Sequence, residues 1–322
     1  MHRFAVLTSL ATFALIFIGG LVTSTGSGLA VPDWPLSFGQ VFPPMVGGVL
    51  YEHGHRMAAT AVGILMIVLA TWIQRREPRR WVRRLALAAL LLVIVQGVLG
   101  GVTVLLLLPT AVSVAHACLA QAFFSLTVLL AVCTGPSWRS ARPLIADSER
   151  PRLVQLAALC FALVYVQLIL GAWMRHTGAG LAIPDFPLAL GRLLPPLGDP
   201  QVRIHFLHRL GALAVSAAVL WTLGRVWRRH RSAPALRTPA LLLGAGLVLQ
   251  ISLGAITVWS RMAVLPTTAH VAGGAALLAA SLVLFLRALR SELPQAAPAA
   301  AARSQRRGAA TGLRRDPRRA SV

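Results

Sequence analysis

The chain contains no lysine, and charge of either sign is scarce. Charged residues make up 12% of its 322 residues, whereas soluble globular domains average about 25%. Hydrophobic residues make up 57%, and the mean hydropathy is +0.72. This composition excludes an ordinary soluble domain and indicates an integral membrane protein.

Cysteine is also scarce. The three cysteines, Cys118, Cys133 and Cys160, all fall within or at the ends of apolar stretches. The long hydrophilic loops therefore carry no disulfide framework. We interpret the three thiols as small packing residues.

Long apolar runs dominate what remains. Each of eight stretches is close to the ~20 residues that a helix needs to cross a bilayer, and helices satisfy their own backbone hydrogen bonds in lipid. The sequence therefore predicts an all-α integral membrane protein with eight transmembrane helices. The stretches are 4–22, 55–73, 85–105, 112–133, 154–174, 206–224, 240–258 and 267–287.

The net charge of +22 is distributed unevenly along the chain. Alternate connections hold 25 of the 31 arginines, at Arg3, 75–84, 139–152, 225–237 and 287–319. By the positive-inside rule, this pattern places both termini in the cytoplasm and the loops at about 23–54 and 175–205 outside. The charge thus indicates lipid contact and no nucleic acid. The Arg-rich tail 291–322 is predicted to be disordered against anionic headgroups.

The sequence also contains an internal repeat. GLVTSTGSGLAVPDWPLSFGQVFPP at 20–44 resembles GAWMRHTGAGLAIPDFPLALGRLLPP at 171–196, and matching positions are offset by 152 to 154 residues. An even number of helices per repeat makes the repeat parallel. We therefore predict two pseudo-symmetric four-helix bundles, 1–135 and 154–290, joined by a cytoplasmic linker at 136–153.

Four histidines lie near the starts of apolar stretches at repeat-related positions: His55 and His116, then His208 and His270. In each bundle two imidazoles would reach the same depth, near the outer surface, from different helices. This arrangement is typical of bis-histidine haem ligation in bundles. Zinc and copper are weaker alternatives, because two histidines without a cysteine or carboxylate cluster are too few.

Charged residues beside these histidines distinguish the halves. Arg56 and Arg209 each follow a histidine and would pair with haem propionates, or else face lipid headgroups. Glu52 lies three residues before His55, on the same helix face, whereas the second half has His205 there. Unless Glu52 is simply solvated, a carboxylate at one site marks that site as the reactive one.

The loops suggest a structural role for their acidic residues. Asp33 and Asp185 occupy Pro-Asp-aromatic-Pro segments. Turns commonly use aspartate and proline in this way. We interpret both aspartates as turn or cap residues in preference to catalytic ones.

These motifs together resemble the haem A synthase family. They are the Glu52-x-x-His55-Arg56 motif, its partner His208-Arg209, the two Gly-x-Gly-Leu-Ala-x-Pro-Asp-aromatic-Pro loops and the Gln-x-x-x-Gly elements. The resemblance extends over about 4–287. Many members carry a cysteine pair in an extracytoplasmic loop, and this chain lacks it.

The resemblance implies a reaction and its participants. Family members oxidise the C8 methyl of haem O to a formyl group by successive hydroxylations, giving haem A for terminal oxidases. The first bundle would hold this substrate, the second a haem b cofactor, and Glu52 would be catalytic. A cell-membrane location follows, with haem O synthase and terminal oxidase assembly factors as partners; a homo-oligomer stays open.

Two other functions remain. A bis-histidine membrane cytochrome b, linked to quinone, would use the same four histidines without needing Glu52. A transporter is suggested only by the repeat. It is disfavoured because the polar groups gather at one membrane face and not at the midplane.

Overall fold

A computed structural model describes residues 1–139, 147 and 149–292. Nearly all of the tail predicted at 291–322, and part of the linker, lie outside the described residues. Eight of the described helices are long and apolar enough to cross a membrane, so the prediction of an all-helical, multi-pass membrane protein is confirmed. The helices are α1 His2–Ser24, α2 Gly48–Arg76, α3 Arg80–Leu105, α4 Thr110–Thr134, the short α5 Pro136–Arg139, α6 Leu153–His176, α7 Pro200–Arg229, α8 Pro234–Trp259 and α9 Val264–Glu292.

Helices α2 and α7 begin earlier than hydropathy predicts, at Gly48 and Pro200 in place of 55 and 206. At α7, the Asp199 side chain accepts the N–H of Gln201 at 2.7 Å, and Pro200 occupies the first turn, where its missing N–H costs nothing. The predicted loops are therefore too long. Their last residues, which include Glu52, His53 and His205, form helical turns, and His55 lies roughly 10 Å along its helix.

Helix packing defines two neighbourhoods. In the first, α1 and α3 each contact α2 and α4. In the second, α6 and α8 each contact α7 and α9. The two sets meet where α9 packs against α1 and α4, and α6 against α4. Ile16 of α1, Phe124 of α4 and Ala275 of α9 share a buried apolar cluster there.

The two ends of the helices differ chemically. One end, here called the arginine face, carries the connections α2–α3, α7–α8 and the start of α6; the opposite loop face carries residues 25–47 and 177–199. On the arginine face, Glu77 pairs with Arg79 at 2.7 Å and with Arg139 at 2.9 Å. The pKa of Glu77 is lowered, chiefly by the hydrogen bond from Arg79.

Each long loop closes on an aspartate. Asp33 accepts the backbone N–H groups of Phe38 at 2.7 Å and Gly39 at 2.8 Å, and Asp185 makes the corresponding two bonds. Phe38 and Gly39 both have positive φ, 53° and 69°. Glycine adopts that conformation readily, whereas phenylalanine does not. The turn interpretation of both aspartates is confirmed.

Candidate functional site

The imidazoles of His208 on α7 and His270 on α9 form the better-defined pair. Their ring centres are 6.4 Å apart, and their planes are inclined by 71°. A metal ion lies about 2 Å from each ligating nitrogen, and the nitrogen roughly 1 Å from its ring centre, so an ion between two imidazoles separates their centres by roughly 6 Å. The observed spacing fits that requirement.

The other pair consists of His55 on α2 and His116 on α4. These two rings lie close enough to interact electrostatically, and all four histidine residues are partly buried. Within the described part of the chain, no group of three or more His, Cys, Asp or Glu residues could hold a metal ion. The donor set therefore fits a group that supplies its own equatorial ligands, as a porphyrin does, better than it fits a zinc or copper ion.

A glycine on the neighbouring helix accommodates each of the four rings. A Cβ atom on any of these glycines would lie 3.1 Å from the histidine Cε1, which is tighter than almost all real contacts. The absence of a side chain thus lets every imidazole lie directly against a helix backbone. The pairs are Gly19 with His55, Gly100 with His116, Gly171 with His208, and Gly254 with His270.

This contact changes the interpretation of the small residues. Glycines in membrane helices commonly let the helices approach one another closely. In the structure Gly100 and Gly254 contact imidazoles, and a Cβ on Gly97 would meet nothing within 4 Å. The last position of the Gln-x-x-x-Gly element therefore packs against a histidine.

The glutamine of the same element bonds the same histidine. Gln96, Gln167 and Gln250 each donate from Nε2 to a backbone carbonyl, of His116 at 2.9 Å, His208 at 2.8 Å and His270 at 2.9 Å respectively. Sequence reasoning found the element but missed this hydrogen bond. The signal was the four-residue spacing, which puts glutamine and glycine on one helix face.

Glu52 is buried beside the first pair. Its side chain is 5% exposed, and it accepts the backbone N–H of Val31 at 2.8 Å and the guanidinium of Arg56 at 2.6 Å. The alternative of a solvated glutamate at a loop end is therefore wrong. The contact with Val31 ties the start of α2 to the long loop.

His205 holds the corresponding place in the second half. It is 3% exposed, and its Nδ1 lies 3.3 Å from the backbone nitrogen of Ile183 and 3.1 Å from the carbonyl oxygen of Ala179. Ile183 follows Val31 by 152 residues. The same backbone position thus meets a carboxylate in one half and an imidazole in the other.

Arg56 and Arg209 bind the loops. Arg209 donates to the carbonyls of Ile183, Asp185 and Leu188 at 2.7 to 3.0 Å, and Arg56 donates to the matching loop carbonyls 152 residues earlier. Their terminal amino groups are therefore occupied by protein atoms. A propionate contact for either arginine stays a prediction.

A second buried polar pair beside Glu52 escaped sequence reasoning. The Ser37 hydroxyl lies 2.8 Å from Nδ1 of His53, and the Nε2 of His53 is buried with no hydrogen-bond partner in the described chain. The second half has Ala189 and Phe206 at these positions. The polar surroundings of Glu52 are thus particular to the first half.

The aromatic residue of the first loop covers helix α3 beside the first pair. The indole of Trp34 packs directly on Gly101, next to the glycine that contacts His116. In the second half, Phe186 packs against Trp259 with ring centres 6.0 Å apart. Each loop therefore places an aromatic ring over its neighbouring helices at the loop face.

Comparison with known proteins identifies related sequences. A family model described as Cytochrome oxidase assembly protein, COX15-CtaA, matches residues 2–48 and 45–282. A curated relative named Heme A synthase from Halalkalibacterium halodurans is 32% identical over 246 residues, covering 72% of this chain and 80% of the relative.

Two more relatives carry the same name. The protein from Symbiobacterium thermophilum is 34% identical over 238 residues, covering 69% of this chain and 76% of the relative. The protein from Shouchella clausii is 31% identical over 257 residues, covering 76% and 83%. With the family model matching most of its length, this chain belongs to the COX15-CtaA family of cytochrome oxidase assembly proteins.

Proposed function

We propose that this protein is a haem A synthase, which oxidises the C8 methyl of haem O to the formyl group of haem A. One observation carries the proposal: two histidine pairs lie near the loop-face ends of their helices, and among the described residues only the first pair has a buried carboxylate beside it. The relatives named Heme A synthase support the same activity. Successive hydroxylations of the methyl carbon are part of the proposal.

In this proposal the two histidine pairs bind different haems. Residues 1–135 would hold substrate haem O, with His55 and His116 as the iron ligands. Residues 154–290 would hold a resident haem b through His208 and His270. The imidazole spacing of the second pair, 6.4 Å, supports the second assignment. When bound, haem b would supply a one-electron carrier.

Glu52 is the proposed catalytic group. Its carboxylate is excluded from water and held by Arg56 and the Val31 N–H. A carboxylate fixed in this way accepts a proton from, or stabilises positive charge on, a carbon undergoing oxidation. The loop contacts of Arg56 determine where the carboxylate points, so the arginine positions Glu52.

Arg56 and Arg209 are also proposed to contact the haem propionates. Their terminal amino groups already bond to loop carbonyls and, for Arg56, to Glu52. The described contacts leave the Nε–H of each guanidinium for a propionate oxygen. A contact there would link a correctly seated porphyrin to the loop above it.

The membrane arrangement is proposed from charge and chemistry. Arginines cluster at the ends opposite the long loops, so we place the loop face outside the cell membrane and both termini in the cytoplasm. The farnesyl tail of haem O would enter from the bilayer. Haem O synthase and terminal oxidase assembly factors are the expected partners, at the supply and delivery ends of the reaction.

Haem analysis in a defined host tests the activity. The chain would be expressed in a bacterium that makes haem O and lacks its own haem A synthase, and membrane haems would be separated by chromatography with mass detection. The proposal predicts haem A only in cells expressing the chain. A purified protein that binds two haem b groups and yields no haem A would instead support the cytochrome b function.

A further inference from the structure

The glutamine hydrogen bonds are distributed unequally between the two histidine pairs. Both histidines of the second pair accept one, from Gln167 and Gln250. In the first pair only His116 does, from Gln96. Helix α1 has Leu15 at the matching position, four residues before Gly19, so no glutamine reaches His55.

Glycines strengthen this difference. The Oε1 atoms of Gln167 and Gln250 lie directly against Gly211 and Gly273, each three residues after a histidine. A side chain there would displace the glutamine. After His116 the corresponding residue is Leu119. The second half is thus shaped to hold two glutamines, whereas the first half holds one without a glycine to receive it.

His55 consequently has the weakest local support of the four. Its ring contacts Gly19, but no described side chain donates to its carbonyl, whereas the carbonyls of His116, His208 and His270 each accept a glutamine N–H. The described side-chain bonds between this part of α2 and other elements come from Glu52, His53 and Arg56, and they reach the loop. Among the described contacts, no side-chain hydrogen bond joins α1 to α2 at the histidine.

We propose that His55 is the exchangeable iron ligand of the substrate site, and that the glutamine hydrogen bonds hold the other three histidines in place. The proposal rests on the function proposed above. A substrate has to be bound and released, whereas a resident cofactor does not. Glutamine is a positioning residue in this scheme, because it contacts the backbone carbonyl of the histidine and, at His116 and His208, the ring nitrogens, but not the iron.

The exchange itself is a simple substitution. The coordinate bond between iron and a ring nitrogen of His55 would break, the imidazole would keep its lone pair, and a small neutral ligand would donate a pair to the vacated position. No electron is transferred. A net hydrogen bond changes such an equilibrium by roughly fivefold, and the apparent affinity of an added ligand scales with the fraction of detached histidine.

Carbon monoxide binding to the reduced, purified holoprotein measures that fraction. The informative variant is Leu15→Gln, which supplies the missing donor, with Leu15→Met as its size-matched control. Gln167→Leu removes a donor from the second site. We expect carbon monoxide to bind one of two haems in the parent, about fivefold more weakly in Leu15→Gln, and with parent affinity in Leu15→Met.

Removing a glutamine donor is expected to have the opposite effect, an increase in carbon monoxide affinity. Gln167→Leu is expected to make the other haem reactive toward carbon monoxide, with its affinity raised roughly fivefold. Gln96→Leu is a further variant of the first site, and it is expected to strengthen binding there. If Leu15→Gln fails to fold, Gln96→Leu still tests whether a glutamine holds its histidine in place, because Gln96 donates to the carbonyl of His116.

The outcomes distinguish a failure of the proposed role of His55 from a failure of the proposed haem A synthase activity. Two low-spin haems with equal carbon monoxide affinities, or a Leu15→Gln protein that binds carbon monoxide like Leu15→Met, would overturn the role of His55 while leaving the proposed function intact. A folded protein with no low-spin haem would overturn both. Spectra of the oxidised protein, recorded before carbon monoxide is added, decide which case applies.

Discussion

The carboxylate of Glu52 accepts a hydrogen bond from the backbone N–H of Val31 at 2.8 Å. The bond fixes a charged group, almost completely buried, between the start of α2 and the loop above the first histidine pair. In the second half, His205 meets the matching backbone position. Repeat-related frameworks therefore present different chemistry at their two sites.

Neutralising Glu52 tests its catalytic role. In Glu52→Gln the amide oxygen still accepts the Val31 N–H, but the negative charge beside Arg56 is lost. We expect haem A formation to fall at least about 100-fold, as is typical when a general acid or base is removed, while haem content stays near that of the parent. Glu292→Gln, which alters a partly exposed ion pair with Arg152, is the matched control. Parent-level conversion by Glu52→Gln would refute the assignment.

The glycines that contact the imidazoles give a matched test within one helix. Gly100→Ala places a Cβ 3.1 Å from the ring of His116, whereas Gly97→Ala meets nothing within 4 Å. Alanine favours a helix over glycine by about 1 kcal/mol, so Gly97→Ala is expected to be neutral or slightly stabilising. Gly100→Ala is expected to lower the haem-to-protein ratio several-fold. Equal haem ratios in the two variants would show that the contact does not matter.

The large side chain of Trp34 fits because Gly101, which it contacts, has no side chain. A Cβ on Gly101 would overlap the indole, and the second half has the smaller Phe186 opposite Ala255 at the corresponding positions. Gly101→Ala is expected to cost about 1–3 kcal/mol through overpacking. Adding Trp34→Phe should restore most of that loss, because it reproduces the second-half combination.

Thermal unfolding of the four proteins in this double-mutant cycle measures the coupling. The two changes should be strongly non-additive. Simple additivity would mean that the indole does not rest on Gly101 in the folded protein.

The Asp33 turn should respond to acid. Hydrogen bonds from the N–H groups of Gly39 and Phe38 lower the pKa of Asp33 below its usual 3.8. A carboxylate whose folded-state pKa is depressed stabilises the turn above the unfolded pKa, and this contribution is lost as pH falls below about 4 toward the folded value.

The rate at which pepsin cleaves within residues 33–39 measures how far the turn has lost this stabilisation. The cleavage rate of the parent divided by that of Asp33→Asn is expected to rise as pH falls below about 4. Only the parent has a carboxyl group at this position, so only its turn is weakened by protonation. Using the ratio removes the pH dependence of the protease itself. A ratio that stays constant with pH would contradict the turn's dependence on the carboxylate.

Much of the fold follows from hydropathy, because every spanning helix is a long apolar run. Hydropathy fails at the starts of α2 and α7, where Glu52, His53 and His205 are polar but helical. These residues are stabilised by contacts with the loops, which are distant in sequence. An average over neighbouring residues carries no information about such contacts.

The candidate site, too, is only partly predictable from the sequence. Periodicity and repeat spacing locate the four histidines and Glu52. They do not reveal that Gly100 and Gly254 contact imidazoles, that Gln167 bonds the His208 carbonyl, or that Ser37 lies against His53. Each of those is a contact between two elements, so it depends on how the helices rotate and approach in three dimensions.

The haem content of the purified protein tests the central claim most directly. Pyridine haemochrome spectra and mass analysis of the extracted haems identify what the two histidine pairs hold. The account predicts haem b together with haem O or haem A, and the loss of haem b alone when His208 and His270 are replaced. A folded protein that carries no haem would contradict it.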